Sequence, residues 1–211
     1  MTERISKRQQ RAAATAEQLL AAAREVFQTK GYQAATVGAI TSAANTAHGT
    51  FYLYFKNKED AFAKVMASIA EEMVREARTP WGTDPRETLA QAIRGFLLVV
   101  QAHKGLWRCL LEGMHQSKAI EQMWIGLRRP FIDRIARNLE RSVESGLARP
   151  MNTELAAHAL VAMTEWSAFT HFEFQEPGPS KASTDELADT ITDLWYHAVY
   201  AGAYDAPRQP A

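Results

Sequence analysis

A chain of 211 residues is long enough for one large domain or two small ones, and 46% hydrophobic content supplies a packed core without external staples. A single cysteine, Cys109, excludes an intramolecular disulfide, and no cysteine/histidine cluster has structural-zinc spacing, which points to a reducing compartment and a fold held by no metal. The formal net charge of +0 conceals an asymmetry: up to Lys64 nine Lys/Arg stand against five acids, a net +4 that leaves −4 for the remainder, as suits a segment that meets phosphates on a body that stays away from them.

In chain order, MTERISKRQQR carries charge but lacks the apolar run of a signal peptide. Residues 1–14 read as a flexible basic arm in which Arg4, Lys7, Arg8 and Arg11 add salt-sensitive affinity for a polyanion. Ala16, Leu19, Leu20, Ala23, Val26 and Phe27 make one helical stripe, ended by Gly31. Thr36 caps a short second helix, Asn45 sits at a turn, and Asn57 with Asp60 resembles a capping box for a long helix whose stripe is Phe62, Val65, Met66, Ile69 and Met73. Thr79 to Pro85 form a linker-like break before a helix from about Arg86 to Ala102.

Helical patterns then run from about Gly105 to Gly113 and from Lys118 to Ser145, where Pro130 either kinks the helix or divides it and Gly146 is a C-cap. Asn152 or Thr153 starts a helix reaching Phe174, Pro177 to Ser180 is a loop, a last helix spans about Thr184 to Tyr204, and a tail follows Asp205. No segment alternates like a strand, so the fold class is all-α with about nine helices. No stretch reaches membrane-spanning length without charges, and a soluble, cytoplasmic protein is expected.

The stretch Thr36 to Lys58, TVGAITSAANTAHGTFYLYFKNK, reads as two short helices separated by Asn45. A helix-turn-helix needs a positive or nearly positive φ at its turn, and after Gly the side chain best suited is Asn. The second helix, about Ala47 to Leu53, then projects its N-terminal residues into the major groove. His48 and Thr50 are the candidates to reach base edges, with Ala47 and Tyr54 beside them. Gly49 removes a side chain where backbone comes close to DNA, and Phe55 reads as a core aromatic.

Phe27, Gly31, Thr36, Ile40, Ala44 and the run GTFYLYFKNKEDAF resemble the N-terminal domain of the TetR family over about residues 15–66. This sequence has Asn45 where the family usually has Gly, and Ala47 where it often has Ser. The resemblance implies a sequence-specific transcriptional regulator, commonly a repressor released from a palindromic operator by a small effector. It implies phosphate contacts for Thr36, Tyr52 and Lys58. It also implies residues 15–62 as the DNA-binding domain, 63–204 as a ligand-binding and dimerisation domain, and 205–211 as a tail.

One reading helix recognises too few base pairs for a genome, so a symmetric dimer is expected. Its face is sought on the last two helices, at Leu155, Ala159, Ala162, Met163 and Trp166 and at Ile191, Leu194, Ala198 and Val199, which correspond to an intersubunit four-helix bundle in the TetR family. Phe96, Trp107, Trp124, Phe131, Thr164, Trp166, Phe169 and Trp195 are the candidate pocket residues, with Glu165, His103 and Arg128 as further polar groups to orient a ligand. The spacing from Trp124 to Trp195 is similar to the EthR-type branch, whose tunnels accept elongated hydrophobic molecules, and the helix from Lys58 to about Arg78 is the natural lever between pocket and reader. No cofactor or metal is expected.

Enzyme chemistry finds little support. His171 and Glu173 have the His-x-Glu spacing of a zinc deaminase, but no Pro-Cys-x-x-Cys follows, and there is no H-E-x-x-H, phosphate-binding Gly-rich loop or nucleophile elbow. Cys109 is open to two readings, redox-sensing thiol or inert packing. The competing class is a helical ligand-binding or interaction protein without DNA binding.

Overall fold

Strong helix formers fill the chain from its first turns. In the computed structural model, which describes residues 2–76, 84–173 and 182–200, the first helix, α1, already runs from Thr2 to Ala34. The residues expected to form a separate arm up to position 14 are therefore its opening turns. The run Gln9 to Ala14, QQRAAA, has no helix breaker to end the helix there. Gly31 interrupts α1 at φ 77 and ψ 171, a backbone shape that L side chains rarely adopt.

Nine helices and no strand occur among the described residues. After α1 come α2 (Val37–Ala43), α3 (His48–Phe51), α4 (Lys58–Glu76), α5 (Pro85–Ala102), α6 (Leu106–Gln116), α7 (Lys118–Glu144), α8 (Thr153–Glu173) and α9 (Thr184–Tyr200). They belong to two compact units. The first draws on the chain up to Glu71 and on His103–Trp124, the second on Glu72–Ala102 and on the chain from Ile125. The boundary foreseen between residues 62 and 63 lies inside α4, and the assignment of α6 to the N-terminal unit was not foreseen.

In the first unit, α6 packs along α1. Gly105 permits this at φ 91, because a Cβ there would stand 2.6 Å from the carbonyl oxygen of Gln28. The core is aromatic: Phe62 meets Phe27 and Tyr32 edge-on at 4.9 and 5.4 Å, and Leu19, Ile40 and Phe51 are fully buried.

In the second unit, α5 lies against α8 and α9, burying Phe96, Leu97, Val100, Phe169, Ile191 and Trp195. Exposed ion pairs, Arg86–Asp193 and Arg94–Asp185, join α5 to α9 at the rim. Pro130 neither divides α7 nor ends it. The helix closes on Gly146 (φ 72), where Gly146 N–H donates to Val143 O and Leu147 N–H to Ser142 O, the two bonds of a Schellman motif. Asn152 caps α8 through Leu155 N–H, and Ser183 and Glu186 form a reciprocal capping box for α9. The expected linker at Thr79 to Thr83, the ends at Phe174 and Tyr204, the loop Pro177 to Ser180 and the tail lie outside the described residues. No helix among the described residues is long and apolar enough to cross a membrane.

Candidate nucleic-acid interface

The reading segment is fixed at each of its joints. Thr36 is the N-cap of α2, with its hydroxyl oxygen accepting from Ala39 N–H at 3.1 Å while the residue stays exposed. At the other end of α2, Asn45 N–H donates to Ser42 O (3.1 Å) and Thr46 N–H to Thr41 O (2.9 Å). The helix-turn-helix turn is thus a Schellman motif with Asn45 in the left-handed position at φ 48. Among the described residues it is the one non-glycine with positive φ. Gln18 Nε2 donates to Ala44 O at 2.8 Å and ties this turn to α1.

The second helix is shorter than expected: α3 covers His48–Phe51, and hydrogen bonds from Leu53 N–H to Thr50 O and Tyr54 N–H to Phe51 O continue it as a turn. Ala47 is its N-cap and makes no side-chain cap bond, so the contact that a serine would supply there is missing. Phe51 and Phe55 are buried with rings 5.0 Å apart and anchor the segment. Ala47, His48 and Gly49 are exposed, Thr50 and Tyr54 are half-buried, and Tyr52 is 54% exposed with its ring 5.6 Å from that of His48. The structure therefore sets His48 beside Tyr52 on an exposed patch with Ala47 and Gly49, and leaves Thr50 and Tyr54 half-buried.

Lys58 is placed differently. Its Nζ donates to Tyr32 O at 2.9 Å and lies 4.4 Å from the centre of the Tyr32 ring, so this lysine first joins α4 to the end of α1. Lys64 does similar work nearby, donating from Nζ to Tyr54 O at 2.6 Å. Of the N-terminal basic residues, Lys7 and Arg11 are exposed, and the side chains of Arg4 and Arg8 lie outside the described residues.

Two carboxylates that the sequence did not single out hold α6 and the start of α7 against the reader. Glu112 Oε2 accepts from Tyr32 N–H at 3.0 Å, just after the break at Gly31, and Glu59 Oε1 accepts from the Ser117 hydroxyl at 3.0 Å. Burial, followed by the charge of Glu59, pushes the Tyr32 phenol up to about 12. Cys109, fully buried on α6, has its thiol pushed upward by burial and by Glu112. A thiol held protonated and away from solvent is a poor nucleophile, which favours the packing reading of Cys109.

The eight pocket candidates are divided between the units. Trp107 and Trp124 belong to the first, where their rings meet edge-on at 5.3 Å. The other six belong to the second. Phe96, Thr164, Phe169 and Trp195 are buried there, Phe131 is half-buried, and Trp166 is 59% exposed, which moves it out of a buried lining. Thr164 gives its hydroxyl hydrogen to Leu160 O, whereas the indole Nε1 of Trp195 is buried with no hydrogen-bond partner among the described residues. Arg128 and Glu165 form an ion pair, Nε to Oε1 at 2.9 Å, and burial pushes the Glu165 carboxyl up against the opposing pull of Arg128.

Trp166 instead continues an exposed stripe on α8 with Leu155, Ala159 and Ala162, while Met163 is half-buried. On α9 Leu194 and Ala198 are exposed, but Ile191 and Val199, also expected on the outer face, are buried within their own unit. Those two turn toward the unit's own core. No group of three or more His, Cys, Asp or Glu suited to a metal ion occurs among the described residues.

Comparison with known proteins agrees with this geometry. Residues 19–65 match the family described as bacterial regulatory proteins, tetR family, and residues 89–201 match the C-terminal domain of the transcriptional regulator EthR. The HTH-type transcriptional regulator YhgD of Bacillus subtilis (strain 168) is 25% identical over 150 residues, 69% of this chain and 78% of YhgD. The fatty acid metabolism regulator protein of the same organism is 34% identical over 106 residues, 50% of each chain. Among solved structures, a TetR-family transcriptional regulator from Syntrophomonas wolfei superposes with a TM-score of 0.74 at 17% identity, covering 94% of this chain and 99% of that one. A TetR-like regulator from Rhodococcus sp. RHA1 gives 0.66 at 28% identity over 88% and 96%.

Proposed function

The chain belongs to the TetR family of bacterial DNA-binding transcriptional regulators, and from that premise we propose that it represses from a palindromic operator as a homodimer and is released by a small hydrophobic effector. The observation that carries this reading is the exposed patch of His48, Gly49 and Tyr52, held outward by Phe51 and Phe55 and turned by Asn45. In it, Thr36 and Tyr52 contact phosphates on either side of the major groove, and His48 and Thr50 reach base edges beside Ala47 and Tyr54. One N–H of Lys58 is committed to Tyr32 O, so its phosphate contact uses the other two.

The effector is bound by the second unit, against Phe96, Phe131, Thr164, Phe169 and Trp195. Such a lining favours an apolar molecule, and the unpartnered Trp195 Nε1–H supplies one donor for an oxygen on it. Trp107 and Trp124 belong to the first unit, where they pack on each other, and are left out of this lining; of its two sequence assignments Trp166 keeps the dimer face. The match to the EthR C-terminal domain and the relative named as a fatty acid metabolism regulator support an elongated hydrophobic effector. Its leverage on DNA binding cannot exceed its differential affinity for the two arrangements of the protein. The protein acts in the cytoplasm and carries out no catalysis.

Selection of bound duplexes from a random DNA library tests the reading. A recovered palindrome with half-sites about one helical turn apart, bound with steep salt dependence, is the expected result. Recovery of no enriched sequence, or of a binding mode insensitive to salt, would leave the interaction-protein class in its place.

A further inference from the structure

Leu53 is 77% exposed, the highest value among the exposed large hydrophobic residues described. It is not loosely held. Leu53 N–H donates to Thr50 O, the flanking Phe51 and Phe55 are buried, and Lys64 fixes the next carbonyl, that of Tyr54. With backbone pinned on both sides, the leucine stands outward because the two phenylalanines stand inward.

At about 100° per residue, Phe51 and Phe55 occupy one side of this turn and Gly49 and Leu53, four residues apart, share the opposite side. Gly49 contributes no side chain there, and a Cβ built on it would meet nothing within 4 Å. Neither packing nor a positive φ requires glycine at this position. The outermost surface of the reading segment is therefore a low, apolar strip made of Gly49 backbone and the Leu53 side chain. His48 and Tyr52 stand along its flank.

The major groove offers hydrogen-bonding groups on every base pair but one aliphatic group, the C5 methyl of thymine. An aliphatic side chain directed at base edges discriminates by covering that methyl, and it desolvates the polar edges of other bases without repaying them with hydrogen bonds. We infer that Leu53, over the gap left by Gly49, is a specificity-determining residue that recognises a thymine methyl in each half-site. This rests on the DNA-binding reading above and adds to it a base and the atom that is read.

The test uses the full chain and the duplex recovered by library selection, with the thymines of one half-site replaced singly by deoxyuridine, which removes the methyl and keeps the base pair. Burial of one methyl group is worth about fourfold in affinity. Wild type should lose about that factor at one thymine, and Leu53→Ala should bind the unsubstituted duplex less tightly and be indifferent to the replacement there. A Leu53→Met variant, keeping an aliphatic surface, should retain the response. Equal uracil sensitivity of wild type and Leu53→Ala at every position would overturn the inference while leaving DNA binding intact. Failure of wild type to enrich any duplex would remove both. Because Leu53 supports no core contact in this structure, thermal melting of each variant should match wild type.

Discussion

Gly49 separates stability from function at a single residue. A glycine within a helix is about 1 kcal/mol less favourable than alanine, and here nothing lies within 4 Å of the place an alanine methyl would take. Gly49→Ala should therefore raise the thermal midpoint by a few degrees in scanning calorimetry while weakening operator binding at least tenfold in a gel shift. A variant more stable and equally tight would show that this backbone does not approach DNA. Asn45 is the complementary case, since its left-handed φ of 48 is demanded by the turn itself. That demand was legible from the sequence, because Asn is the non-glycine residue that best tolerates it. The loss of a cap at Ala47 was legible too, for alanine has no side-chain acceptor. The Glu112–Tyr32 contact was not: eighty positions separate the partners, and neither belongs to a local pattern.

At the scale of elements, local signals located the helices and their caps, because each cap is made within four residues of its helix. Thr36, Asn152 and Gly146 all act as their neighbours require. The assignment of α6 to the N-terminal unit had no such signal, since it depends on the approach of Gly105 to Gln28 and on Glu112 reaching Tyr32. The pairing of α7 with α8 through Arg128 and Glu165 carries a consequence for pH. Burial raises the Glu165 carboxyl above its ordinary value despite the arginine, so the folded state binds its proton more tightly than the unfolded chain does. Between the unfolded and folded pKa the native state holds more protons, and stability from this group falls as pH rises above the ordinary carboxylate value of 4.5. Urea midpoints of wild type should decline relative to those of Glu165→Gln as pH is raised through that window, and parallel curves would contradict the assignment.

For the whole molecule, the question is what covers the outer stripe of α8 and α9. Leu155, Ala159, Ala162 and Trp166 recur at spacings of four, three and four, the seam of a helix that packs closely on another, and Leu194 and Ala198 supply the matching row on α9. Ile191 and Val199, which the sequence pattern alone placed on the same face, turn inward, because periodicity finds the apolar sides of a helix without saying which of two apolar surroundings each side meets. Trp166 keeps one ring contact inside its unit, 5.2 Å from Phe169, but it and Leu194 are more than half exposed, so charge can be placed there without loss of the fold. Trp166→Glu combined with Leu194→Glu should leave helicity and thermal midpoint near wild type but give a monomer in sedimentation velocity. A palindrome then loses its linked second half-site, and operator affinity should fall by about two orders of magnitude or more, while binding to an isolated half-site stays unchanged. A dimer that persists in the double variant would move the interface elsewhere. A monomer that still binds the palindrome with wild-type affinity would break the connection between symmetry and DNA reading.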